Sequence, residues 1–180
     1  MGKNRCEIIL SGVGGQGLIS SGIILGEAIS SYSNKFVTMT KTYGVSARGG
    51  FAKSDVIIDD EFVSYFRALN PDVILVLDNK AYPEIKNKIS KDTLVIVNKN
   101  EVDNFNPDLG KVYSFPLSEM AFDIGSLLTL NIIALGFIAG KTNIVSKGGL
   151  KKIIEKKYPG KNVVKMNIKA IEKGYELVKN

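Results

Sequence analysis

Cys6-Glu7-Ile8-Ile9-Leu10-Ser11-Gly12-Val13-Gly14-Gly15-Gln16-Gly17-Leu18-Ile19-Ser20-Ser21-Gly22-Ile23-Ile24-Leu25-Gly26 decides the fold. Residues 7–10 read as a buried strand, 11–17 as a glycine-rich turn, and Leu18 onward as a helix carrying Ile19, Ile23 and Leu25. Gly12, Gly14 and Gly17 satisfy G-x-G-x-x-G, which removes Cβ atoms at a tight turn and wherever backbone must approach a ligand. Amides at the helix start, with the helix dipole behind them, suit an anion such as a phosphate or pyrophosphate. Packing alone also explains part of the pattern. The third glycine commonly serves helix-to-sheet contact, and Gly22 and Gly26 extend a flat face on the same helix.

With 180 residues, the chain is expected to be a single α/β domain spanning 1–180. It has one cysteine, Cys6, and no histidine, too few ligands for an iron–sulfur cluster or a zinc site, so no metal and no histidine-based catalysis are expected. No apolar run reaches membrane-spanning length and no signal region precedes the first strand, so the expected location is cytoplasmic. The net charge of +6 is uneven: residues 141–180 hold eleven lysines against three glutamates. These lysines are spaced as wet faces of amphipathic helices, with no interleaved aromatics and no arginine after Arg67. A solvated surface is therefore expected rather than nucleic-acid binding.

A second strand is predicted over residues 35–40. A dinucleotide enzyme would place an acidic residue about 20 residues past the glycine loop to hold the ribose hydroxyls. Residues 37–42 contain none, which argues against NAD and leaves an additional phosphate, as on NADP or coenzyme A, as the better match. Residues 41–50 follow as a polar loop bearing Tyr43, Arg48, Gly49 and Gly50, expected beside the glycine loop at the carboxyl edge of the sheet. Residues 51–59 alternate as a strand, and a hairpin to Phe62-Val63-Ser64 is expected. A buried strand lies within 72–78, a helix at 81–89, and strands at 93–98 and 111–115. Residues 125–140 form an apolar helix in which Asn131 needs a hydrogen-bond partner. Ser146 and Asn167 are positioned to cap the last two helices. The architecture is a Rossmann-like, open, mostly parallel sheet with an antiparallel edge hairpin and C-terminal helices.

Gly12-Val13-Gly14-Gly15-Gln16-Gly17, then Tyr43-Gly44-Val45-Ser46-Ala47-Arg48-Gly49-Gly50, then Pro71-Asp72-Val73, and the stretch from Asn167 to Tyr175 together resemble the gamma subunit of thiamine-diphosphate-dependent 2-oxoacid:ferredoxin oxidoreductases. The resemblance covers nearly the whole chain and favours the 2-oxoglutarate-type or general 2-oxoacid branch. Family members most often carry glutamate where this chain has Val45 or Ser46. The resemblance implies a non-catalytic subunit of a complex that oxidatively decarboxylates a 2-oxoacid to an acyl-CoA and reduces ferredoxin. Thiamine diphosphate and iron–sulfur clusters would sit on alpha, beta and delta-type partners. It further implies that Gly12, Gly14, Gly15, Gln16, Gly17, Tyr43, Arg48, Gly49 and Gly50 hold or shape the site for coenzyme A. The competing expectations are an NADP-binding Rossmann-type oxidoreductase or regulatory module, and an assembly protein whose glycine loop only packs.

Overall fold

The computed structural model describes residues 5–44 and 49–179. Its strands are β1 (Cys6–Val13), β2 (Phe36–Tyr43), β3 (Phe51–Asp59), β4 (Val73–Val76), β5 (Leu94–Asn98) and β6 (Lys111–Phe115). Its helices are α1 (Leu18–Tyr32), α2 (Tyr82–Ile85), α3 (Leu117–Ile124), α4 (Leu130–Thr142), α5 (Lys147–Lys157) and α6 (Lys161–Glu176). The strands form one sheet in the order β2-β3-β1-β4-β5-β6. Neighbours from β1 through β6 by way of β4 and β5 run parallel, while β3 runs antiparallel to both β1 and β2. The mostly parallel sheet with an antiparallel edge hairpin is thus present, but the hairpin is β2–β3.

That assignment corrects the expected pairing of residues 51–59 with Phe62-Val63-Ser64. Both edges of β3 are already taken, by β1 and β2. The chain after Asp59 instead crosses one face of the sheet as an irregular cover, with Val63 buried and Phe62 81% exposed. The Glu7 carboxylate fixes its far end by accepting from the amides of Leu69 (2.7 Å) and Asn70 (2.9 Å), and from Arg5 Nε (2.8 Å). The second strand also runs further than expected, because pairing with β3 carries it through Lys41 and Thr42 to Tyr43.

Two apolar layers flank the sheet. Ile8, Leu10, Val56, Leu75 and Ile96 face a thick layer built from α1, α3, α4, α5 and α6. Ile9, Ile57, Ile74, Val95 and Val97 face a thin one made of the 61–69 segment, α2 and Val102 with Phe105. Strands with β-branched residues on both faces suit this arrangement. In α1 the buried face holds Leu18, Ile24, Leu25, Ala28 and Ile29, while Ile19 is half-buried and Ile23 is exposed. The helix expected over 81–89 is α2 followed by a short 3-10 turn. The apolar run at 125–140 is broken at its start. Gly125 closes α3 at φ 108°, Ser126 accepts from the Leu128 amide, and Leu127 and Leu128 stay exposed before α4 begins. Ser146 caps α5 as expected, its Oγ accepting from Gly149 N at 3.0 Å. Asn167 does not cap α6, which starts at Lys161 behind Pro159-Gly160; its side-chain amide donates to Val163 O within the helix. No single helix among the described residues is long and apolar enough to cross a membrane.

Helices α4 and α6 touch backbone to backbone. A Cβ on Gly136 would lie 2.5 Å from Ile171 O, and one on Gly174 would strike Ile133 O and lie 2.6 Å from Phe137 N. Alanine favours a helix over glycine by about 1 kcal/mol, but overpacking against backbone costs about 1–3 kcal/mol or more. Gly174→Ala is therefore expected to lower the urea midpoint, whereas Gly148→Ala, with nothing within 4 Å of the added carbon, leaves it unchanged or raises it. Glu7→Gln replaces one acceptor oxygen with a donor. It is expected to cost about 1–3 kcal/mol and to speed hydrogen exchange at the Leu69 and Asn70 amides ahead of the rest of the chain.

Candidate functional site

The glycine turn is held from inside and from two neighbouring segments. Inside it, Gln16 folds back so that its Oε1 accepts from Val13 N at 2.9 Å, and a Cβ on Gly12 would collide with that oxygen. Its Nε2 reaches toward Leu77 O at 3.5 Å. From the hairpin side, Gly14 N donates to Gly50 O at 2.9 Å. From α4, Asn131 Nδ2 donates to Gly17 O at 3.0 Å, which answers the need for a partner inside the apolar helix. Gly15 and Gly17 adopt φ of 104° and 71°, left-handed conformations that favour glycine, and a Cβ on Gly17 would run into the Asn131 amide. Asn131 is buried, and its Oδ1 has no partner among the described residues.

The outer side of the turn is open. Helix α1 has no side-chain cap and no acidic residue in its first turn, so its dipole is uncompensated there. The amides of Leu18, Ile19 and Ser20 belong to the first turn and have no intrahelical acceptor. They border a depression of about 240 Å³ whose lining includes Gly14, Gly15, Gly17, Ser20, Tyr43 and Ala52. Tyr43 is 59% exposed at its rim. Such a site can receive an anionic group through backbone donors, with the Ser20 and Tyr43 hydroxyls as further hydrogen-bonding groups. Its volume is below the roughly 300–1,000 Å³ typical of a whole small-molecule pocket, so it fits a phosphate or one part of a longer ligand.

Of the residues marked out by sequence, Gly14, Gly15, Gly17 and Tyr43 meet at this depression. Gly12 and Gln16 lie beneath it as packing, so Gln16 shapes the turn rather than the pocket. Gly50 braces Gly14, and Gly49 O accepts from Lys80 Nζ at 2.9 Å. Arg48 lies outside the described residues. Sequence reasoning missed Ser20 and Lys80. The signal for Lys80 was its place just past β4, whose carboxyl end shares an edge with the glycine turn.

The dinucleotide reading loses its geometry here. The expected ribose contact requires the second strand to lie beside the first, but β3 separates β2 from β1, moving it by one extra strand spacing of roughly 4.8 Å. At the centre of that segment Thr40 donates to Phe66 O. Among the described residues, no three His, Cys, Asp or Glu side chains gather as a metal site.

Residues 7–177 match the family described as pyruvate ferredoxin/flavodoxin oxidoreductase. The chain is 38% identical, over 98% of its length and 96% of the relative's, to the 2-oxoglutarate synthase subunit KorC of Methanocaldococcus jannaschii. Among solved structures, it superposes with TM-score 0.84 and 32% identity on the keto/oxoacid ferredoxin oxidoreductase gamma subunit from Geobacter sulfurreducens, covering 97% of this chain and 98% of that one. It also superposes, with TM-score 0.88 and 28% identity, on a 2-oxoglutarate:ferredoxin oxidoreductase from Magnetococcus marinus that holds 2-oxoglutarate, coenzyme A and succinyl-CoA. There it covers 99% of this chain but 32% of the other, so the unit corresponds to one part of a longer polypeptide. This chain belongs to the pyruvate ferredoxin/flavodoxin oxidoreductase family and aligns end to end with its gamma-type subunits.

Proposed function

We propose that this chain is the gamma-type subunit of a cytoplasmic 2-oxoacid:ferredoxin oxidoreductase whose 2-oxoacid is 2-oxoglutarate. The end-to-end alignment with a 2-oxoglutarate synthase subunit carries this proposal. The reaction joins 2-oxoglutarate, coenzyme A and two oxidised ferredoxins to give succinyl-CoA, carbon dioxide, a proton and two reduced ferredoxins. With one cysteine and no histidine this chain ligates no cluster, so the thiamine diphosphate and iron–sulfur centres belong to alpha, beta and delta-type companions.

Its own contribution is to bind and orient coenzyme A. The amides at the start of α1 take a phosphate of the coenzyme, with Gly14 and Gly15 leaving room for its oxygens and Ser20 and Tyr43 at the side. Arg48 supplies the countercharge from the neighbouring loop. The rest of the coenzyme, too large for the depression, lies against companion subunits. The packing roles of Gly12 and Gly17 favour a second reading, in which the loop serves assembly alone.

Gly14→Asp separates the two readings, because its Cβ meets nothing nearer than 3.8 Å and adds a carboxylate at the mouth. In the assembled enzyme it is expected to raise KM for coenzyme A by about tenfold or more, on the scale of one charge-assisted hydrogen bond. Decarboxylation of the 2-oxoacid without coenzyme A should change by less than about twofold. Arg48→Ala should act in the same direction. An unchanged KM in both variants supports assembly alone.

A further inference from the structure

Behind α6, on the side away from α4, a groove of about 560 Å³ opens between that helix and the end of α5. Tyr158, Val164 and Ile168 form its apolar floor, each half-buried against the main core. Lys161, Lys165 and Lys169 stand along it at four-residue spacing, so they form one ridge of α6, and all three are exposed. None of them forms an ion pair with another described residue. Two carboxylates share the groove, Glu155 and Glu172. Glu172 is committed to Lys151, which donates to it at 2.6 Å, and that hydrogen bond holds its carboxyl below the usual range.

Like charges at i, i+4 destabilise a helix by about 0.2–0.5 kcal/mol per pair, and among the described residues no ion pair relieves the ridge. The lysine surplus of residues 141–180 is therefore not spread evenly over wet faces; part of it borders an apolar trough. The recess argues against a bilayer, which would need protruding apolar side chains. The missing arginines and stacking aromatics argue against nucleic acid.

We infer that this groove docks an amphipathic helix of a companion subunit, which presents apolar anchors to Tyr158, Val164 and Ile168 and a row of carboxylates to Lys161, Lys165 and Lys169. This is the helix-in-groove mode of recognition, with charge complementarity fixing register. The inference rests on the subunit role proposed above and concerns a different face from the glycine turn.

The test uses the purified assembled enzyme. Carbodiimide, which joins an amine directly to a touching carboxylate, is expected to couple Lys165 or Lys169 to acidic residues of one companion, located by mass spectrometry. Lys165→Glu with Lys169→Glu should abolish those links and weaken companion retention by about tenfold or more. The charge-matched control, Lys86→Glu with Lys91→Glu, should retain companions like wild type. Absence of links to any companion, or equal retention by the groove and control variants, overturns the inference. If the double variant instead loses affinity for phosphatidylserine vesicles or DNA while keeping its companions, the groove belongs to those surfaces and the inference fails. A wild-type chain that retains no companion at all contradicts the subunit role itself, and is told apart by occurring before any substitution.

Discussion

The hydrogen bond from Asn131 to the carbonyl of Gly17 ties the first helix to the most buried one, and the remainder of the site is arranged around it. Gly17 must be glycine twice over, for its left-handed φ and for the Asn131 amide that fills its Cβ position. Because Asn131 sits on α4, and α4 is locked to α6 through Gly136 and Gly174, the direction of the helix start is set by the C-terminal half of the chain. Gln16 fills the inside of the turn, and the first-turn residues Leu18, Ile19 and Ser20 border the depression. The glycine motif is thus used on both sides, for packing beneath and for an accessible helix start above.

The sheet adds a second constraint. Threading β3 antiparallel between β1 and β2 brings the loop that closes the hairpin to the glycine turn, where Gly50 accepts from Gly14 and Tyr43 stands at the rim. The same insertion removes the neighbour that a dinucleotide fold would use for the ribose. One topological change therefore disfavours one class of ligand while bringing Tyr43 and Gly50 to the glycine turn. The thin face of the sheet is covered by an irregular segment anchored on Glu7, which leaves Phe62, Tyr65, Phe66 and Leu69 exposed.

Much of this was legible in the residues. The buried runs at β4 and β5, the strand–turn–helix of the opening stretch and the Ser146 cap follow from local rules that tertiary contacts did not override. The errors occurred where a partner distant in sequence decided the outcome. Phe62-Val63-Ser64 has a strand-like composition, but β3 had no edge left for it. Asn167 looks like a cap, yet Pro159-Gly160 had already started the helix. Of the apolar residues that marked α1, Leu25 is buried and Ile23 is not, because the inward face is set by Leu18, Leu25 and Ile29, an angle along the helix that apolar character alone does not fix. At the site, the glycines and Tyr43 were found by motif. Ser20 and Lys80 were not, because their relevance comes only from the edge of the sheet they share.

A crystal structure of the assembled enzyme with coenzyme A tests the central claim most directly. The account predicts coenzyme phosphate oxygens within about 3 Å of the Leu18, Ile19 or Ser20 amides, as hydrogen bonding requires. Coenzyme A bound with every phosphate away from the start of α1 would contradict it.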